Sequence, residues 1–232
     1  MTAPTVVFDA SHDEYFSISK RKDPSYRLLA RQLVAGGMGV REAGELDDGF
    51  AGDVLVVAVP RRVFQPAESA AVQEFVKNGG GLVLVGMGGG LHQSSQVLNA
   101  LAFRFGMVFG EELLHHNPDR MDVPLRKDQV HAAHAVLLRH PVLEGVGTVR
   151  VRFGCSVTSV GNSPVWVGDE PLEEQTLAAL EAAHYYPVLA LQEEGKGRVV
   201  ALGDASLLDS RYVRGSARLA GNIMTWAAGG TP

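Results

Sequence analysis

The chain has 232 residues, of which 46% are hydrophobic and 20% are charged, and it contains one cysteine. This length suits one large domain, and the apolar fraction excludes global disorder. A single cysteine excludes an intrachain disulfide framework and a thiolate zinc site, and a net charge of -5 argues against a nucleic-acid-binding surface.

The first residues, Met1 to Thr5, lack the basic start and the long apolar run of a signal peptide. The apolar runs further along the chain are too short to span a bilayer. A lone, unpaired cysteine is typical of a reducing compartment. We therefore expect a cytoplasmic protein without direct membrane insertion.

In the first half of the chain, buried strands alternate with amphipathic helices. Three continuous apolar runs predict strands: Thr5–Asp9, Asp53–Val59 and Gly81–Val85. Three helices are predicted between and after them: from Asp23-Pro24 to Gly36-Gly37, from Pro66 to Asn78, and from Val97 to Phe105. This alternation indicates a parallel sheet that is covered by helices on both faces.

The second half has the pattern of an antiparallel extension. Four further strands are predicted: Val149–Val160, Val165–Val167, Pro187–Gln192 and Arg198–Leu202. The loop Glu193–Gly197 joins the last two as a hairpin. A short helix around Leu180 and a final helix through Trp226 complete the elements. We predict one α/β domain over 1–232, with a doubly wound, mainly parallel, flavodoxin-like sheet and an antiparallel C-terminal extension.

Ligands of doubly wound sheets bind beyond the carboxyl ends of the strands. The residues that follow the predicted strands are therefore the candidate ligand-binding residues: Asp9, His12, Glu14, Arg61, Gly86, Met87, Gly88 and Asp204. Because parallel strands present these ends together, we expect the residues to converge at one sheet edge, with His12 in hydrogen-bonding range of a carboxylate.

Motifs of several enzyme classes are absent from these positions. The first strand is followed by Asp9, Asp13 and Glu14, which would repel a phosphate, instead of G-x-G-x-x-G. The chain has no G-x-S-x-G nucleophile elbow and no G-x-x-x-x-G-K-[ST] phosphate loop. We therefore expect no cofactor and name no catalytic residue.

Five segments resemble the class I glutamine amidotransferase-like superfamily. They are Asp9-x-x-His12-x-Glu14, Asn78 to Gly86, Leu98 to Leu101, Gly195 to Asp204, and Asn222 to Trp226. Within that superfamily the chain is most similar to the non-catalytic GIFT-type domains, which occur in an intraflagellar-transport subunit and in gliding-motility transporter components. The resemblance spans nearly the whole chain and implies the same α/β fold.

Catalytic members of that superfamily carry a cysteine on the tight turn after the strand that corresponds to Leu82–Val85. Here the turn is Gly86-Met87-Gly88, and Met87 has no thiol. The resemblance therefore implies a non-enzymatic binding or assembly domain, and an exposed strand edge in the second half favours a homodimer.

Two alternatives remain open. One is a small-molecule or carbohydrate-binding sensor or carrier, and the other is a hydrolase that uses Asp9, His12 and Asp204 with water or a metal. A buried strand-end cluster would favour the assembly domain, whereas an open pocket would favour the alternatives.

Several residues have both a functional and a structural interpretation. Asp9, His12, Glu14 and Asp204 could bind a cation or only fix loops, and Gly86–Gly90 could be an anion nest or a tight turn. Arg61 and Arg62 could bind an acidic ligand or partner, or only face solvent. Trp226 could pack in the core or at an interface. Cys155 is expected to be a buried hydrophobic residue.

Five histidines lie in the middle of the chain: His115, His116, His131, His134 and His140. We expect His131 and His134 to share one helix face, where they could bind a metal but more simply face solvent.

Overall fold

The computed structural model describes residues 3–115 and 129–232. Its strands are β1 (Thr5–Asp9), β2 (Gly39–Ala43), β3 (Val54–Ala58), β4 (Gly81–Val85), β5 (Met107–Phe109), β6 (Leu113–His115), β7 (Gln129–His131), β8 (His134–Leu137), β9 (Val157–Ser159), β10 (Asn162–Gly168), β11 (Tyr186–Glu194) and β12 (Gly197–Leu202). Its α-helices are α1 (Arg27–Ala35), α2 (Leu46–Gly49), α3 (Pro66–Lys77), α4 (Ser94–Ala102), α5 (Leu177–Ala182) and α6 (Val213–Ala227).

The main sheet has eight strands in the order β2-β1-β3-β4-β12-β11-β10-β8. The strands from β2 to β12 in that order are parallel, and β11, β10 and β8 continue the sheet in antiparallel pairs. The predicted flavodoxin-like α/β fold with an antiparallel extension is therefore confirmed. The chain goes from β1 to β2 on one side and then crosses to β3 on the other side of β1. The topological switch point, where the strand order reverses, therefore lies between β1 and β3.

The alternation of side chains along each strand supplies two buried faces, because successive side chains point to opposite sides of a sheet. Val54 and Val56 of β3 belong to the core that contains residues of α1 and α6. Leu55 and Val57 belong to the core on the other face, with residues of α3 and α4. Both faces are thus covered, which explains why the inner strands β3 and β4 consist wholly of buried apolar residues and glycine.

Several predicted boundaries need correction. Only Val157–Ser159 of the predicted strand Val149–Val160 is a strand; before it, Gly154 forms an isolated bridge to Leu114, and Cys155 donates to Gly203 O. The first helix begins at Arg27, after the Asp23-Pro24 pair. Within residues 3–115 and 129–232, no helix has both the length and the apolar character needed to cross a bilayer.

The prediction that His131 and His134 share a helix face is wrong. His131 ends β7, whereas His134 begins β8. The Nδ1 atom of His131 lies 2.8 Å from an oxygen of Asp169, so this ring is held by a carboxylate. His116 lies outside the described residues.

Candidate functional site

Three of the predicted site residues form a buried cluster at the switch point. Asp9 ends β1, and His12 and Glu14 follow in the loop to α1; their exposed fractions are 2%, 0% and 6%. The Nδ1 atom of His12 lies 2.8 Å from Oδ2 of Asp9, which confirms the expected contact. One ligating atom from each of the three side chains lies within 4.8 Å of the others.

Short-range hydrogen bonds fix the loop in this conformation. The backbone N–H and the hydroxyl of Ser11 both donate to Oδ1 of Asp9, at 3.0 and 2.6 Å. The carbonyl of His12 accepts the backbone N–H groups of Arg61 and Arg62, each at 3.0 Å. Because those arginines follow β3, the loop is bonded across the switch point.

The imidazole ring of His12 is held on its face and at both nitrogens. It stacks on Phe64 with ring centroids 3.7 Å apart and an angle of 17° between the planes. Its Nε2 atom lies 3.4 Å from Oε2 of Glu68, which also accepts the backbone N–H of Gln65 at 2.6 Å. The start of α3 therefore sets the orientation of the ring.

The two carboxyl groups of the cluster differ in charge. Burial, together with the neighbouring Asp9, raises the pKa of Glu14 to about 9. Burial would also raise the pKa of Asp9, but hydrogen bonds from His12, Glu14 and Ser11 lower it to about 2. At neutral pH and without a bound cation, Glu14 is therefore protonated and Asp9 ionised, as expected when two buried carboxyl groups lie close together.

Arg61 lies outside the buried cluster. Its guanidinium donates to the side chain of Asp13 at 2.7 Å and to the Asp13 carbonyl at 2.9 Å. The Arg61 side chain is 37% exposed and that of Asp13 is 66% exposed. This predicted ligand residue therefore forms a surface ion pair at the rim of the loop.

The Gly86-Met87-Gly88 turn after β4 is closed by other segments of the chain. The amide of Gly86 donates to Leu202 O and that of Gly88 to Phe153 O, both at 2.8 Å. A Cβ atom on Gly88 would lie 1.8 Å from the carbonyl oxygen of Gly154. The geometry supports the tight turn over the anion nest, because these amides already have protein acceptors.

Asp204 follows β12 at the same edge of the sheet, as expected. Its side chain accepts the backbone N–H groups of Arg152 at 2.6 Å and Ser206 at 2.8 Å. Three strand spacings separate β12 from β1, or about 14 Å in a regular sheet. Asp204 therefore anchors the loop that covers the glycine turn and does not join the cluster around His12.

Cys155 is fully buried, as predicted. Burial raises the pKa of its thiol well above the usual range, and the thiol lies 3.5 Å from Gly203 O. A nucleophilic cysteine needs a stabilised thiolate, and this environment disfavours the thiolate.

Sequence reasoning did not identify Phe64 and Glu68 as site residues. Both come from the segment that opens α3, far along the chain from His12. The available signal was Glu68 in the first turn of a helix opened by Pro66; in the structure its side chain turns back and accepts the backbone N–H of Gln65 at 2.6 Å.

Residues 21–221 match a family described as a domain of unknown function (DUF4350). None of the curated proteins matches the chain. Among solved structures, the mmIFT52 N-terminal domain is similar, with a TM-score of 0.73 and 15% identity, over 97% of this chain and 98% of that one.

Two bacterial structures are also similar. The cytoplasmic protein STM1381 from Salmonella typhimurium LT2 has a TM-score of 0.58 and 10% identity, over 95% of this chain and 98% of that one. A ThuA-like protein from Parabacteroides merdae has a TM-score of 0.54 and 13% identity, over 99% and 91%. At these identities the likeness concerns the fold, and the narrower GIFT-type assignment stays a prediction. The match over residues 21–221 shows that the chain belongs to the DUF4350 family.

Proposed function

We propose that this chain is a non-enzymatic binding or assembly domain that works through its surface. The observation that carries the proposal is the closure of the turn around Met87, where catalytic members of the amidotransferase-like superfamily hold their nucleophile. Met87 is 6% exposed, and the carbonyls of Phe153 and Gly154 lie against the Gly88 backbone. A substrate has no approach to this turn while the 153–154 segment stays in place.

The cluster at the switch point supports the same proposal. Its three members are buried, and both ring nitrogens of His12 face carboxylates. The hydrolase alternative needs Asp204 beside His12, but Asp204 is engaged by backbone amides three strands away. The geometry therefore disfavours a reaction centre built from Asp9, His12 and Asp204.

A second copy of this chain is the partner that we propose. Within the described residues, β8 is hydrogen-bonded on one side only, to β10, so its other side is an unpaired sheet edge. Such an edge invites pairing with another strand, and a two-fold dimer is the commonest closed assembly. The compartment that we propose is the cytoplasm, because its reducing conditions suit a chain whose single cysteine, Cys155, is a free thiol.

Ammonia release from glutamine tests the first part of this proposal. We expect no turnover above a heat-denatured control for the wild-type chain, and none for Met87→Cys, because the turn stays closed when the thiol is restored. Turnover by the Met87→Cys variant would contradict the closure.

Sedimentation velocity tests the assembly. We expect a species twice the 24.8 kDa chain mass at micromolar concentration. A single 24.8 kDa species at 100-fold higher concentration would contradict the proposed dimer.

A further inference from the structure

We propose that Asp9, His12 and Glu14 bind one divalent transition-metal cation, for which Zn²⁺ is the probe, and that the cation ties the loop after β1 into the fold. This inference goes beyond the proposed function, because a binding or assembly role does not require a metal.

The donor atoms have the spacing of a ligand set. In tetrahedral geometry, bonds of about 2.0–2.2 Å place neighbouring ligand atoms about 3.3–3.6 Å apart around a zinc ion. The Nδ1 atom of His12 and Oδ2 of Asp9 are 2.8 Å apart, and a Glu14 oxygen lies within 4.8 Å of both. The first pair would have to separate by about 0.5–0.8 Å to admit a cation.

One carboxyl oxygen in the cluster accepts no hydrogen bond from a protein donor within the described residues. Glu14 is 6% exposed, and its Oε2 atom accepts the His12 backbone N–H at 3.1 Å. Its other oxygen, Oε1, is buried and accepts no hydrogen bond from the residues that the structure describes. A buried carboxylate beside the carboxylate of Asp9 needs a proton or a cation to compensate its charge.

The surroundings of His12 match those of a metal-bound imidazole. Such a ring usually donates its second N–H to a carboxylate, which fixes the tautomer and the orientation of the ring. Here Nε2 faces Glu68 at 3.4 Å, which leaves Nδ1 directed at Asp9. The hydroxyl of Ser11 lies 2.9 Å from Nδ1 and supplies a further oxygen at the same place.

The donor set also indicates the class of cation. One imidazole with two carboxylates suits Zn²⁺ and neighbouring transition metals, whereas Mg²⁺ and Ca²⁺ prefer oxygen ligands alone. Three protein ligands leave one position of a tetrahedral zinc ion open, and the Ser11 hydroxyl, 2.9 Å from Nδ1, is the group placed to fill it.

Isothermal titration of the chelator-treated full chain tests the inference. We expect Zn²⁺ to bind the wild-type chain at one site, and to bind Glu14→Gln at that site with at least 10-fold lower affinity. Glutamine matches the size and neutral state of protonated Glu14, so the variant should fold without metal. Glu111→Gln is the matched control, because Glu111 is exposed and bonds to the side chain of Gln96, and it should bind like the wild type. Mg²⁺ should not bind at this site.

Histidine-ring ¹H–¹⁵N spectra of the wild-type chain provide a readout that needs no variant. Zn²⁺ should shift the Nδ1 resonance of one histidine while its Nε2 keeps a proton. Equal Zn²⁺ binding by the wild type and Glu14→Gln would overturn the inference. So would spectra in which no histidine is bound through Nδ1.

Discussion

Replacing Gly88 by alanine tests how firmly the turn after β4 is closed. The new Cβ atom would lie 1.8 Å from Gly154 O and 2.6 Å from Glu112 O, and both of these are backbone atoms. Backbone cannot rotate away as a flexible side chain can, so the 153–154 segment would have to retreat by more than 1 Å.

That retreat breaks three hydrogen bonds. They are Gly88 N to Phe153 O at 2.8 Å, Leu114 N to Gly154 O at 2.7 Å, and Gly154 N to Leu114 O at 3.0 Å. At about 1 kcal/mol each, their loss predicts a decrease of about 3 kcal/mol in the free energy of unfolding. For a chain of this length, that corresponds to a melting temperature lower by roughly 6–12 °C.

Urea unfolding followed by circular dichroism measures the difference. Gly221→Ala is the control: Gly221 lies inside α6, and a Cβ there would have no neighbour within 4 Å. It should stabilise the chain by about 0.5–1 kcal/mol, because alanine favours helix. A loss below 1 kcal/mol for Gly88→Ala would refute the closed turn and remove the main support for a non-enzymatic role.

Three further outcomes are expected. In metal-free buffer, the free energy of unfolding of the wild type should fall as pH rises from about 4.5 toward the Glu14 pKa of about 9, because the folded chain keeps the Glu14 proton and the unfolded chain loses it. The same pH series should show no such fall for Glu14→Gln. Cys155 should react with a thiol reagent only as fast as the chain unfolds, and faster labelling would contradict its burial. Tyr26→Phe should cost about 1 kcal/mol in thermal unfolding, because the buried phenol donates to Ala205 O; an unchanged midpoint would show that this bond contributes nothing.

The inner parallel strands were predictable because burial on both faces requires an unbroken apolar run. β1 and β4 match the predicted ranges for that reason. β2 was missed: it is an edge strand whose residues Arg41 and Glu42 are half-buried, so it lacks the apolar run. The prediction that the strand begins at Val149 was wrong, because Gly154 bonds to Leu114 and the segment before Val157 folds over the turn after β4.

The candidate site was predictable only in part. Asp9, His12 and Glu14 converge because they belong to one short loop at a strand end, and topology alone assigns that end to ligands. The orientation of His12 depends on Phe64 and Glu68, which come from another element. Contacts between elements that are far apart along the chain depend on three-dimensional packing, and the pattern of residues in a single sequence does not reveal them.

The position of β12 in the sheet has a consequence for synthesis of the chain. β12 pairs with β4, yet Val199 follows its partner Leu82 by roughly 115 residues. At about 5–20 residues per second, a ribosome needs roughly 6–23 s to add that length. Until then, the nascent chain presents β4 with a bare apolar edge. We expect the N-terminal half to depend on a chaperone for protection from aggregation during this interval, until β12 covers the edge.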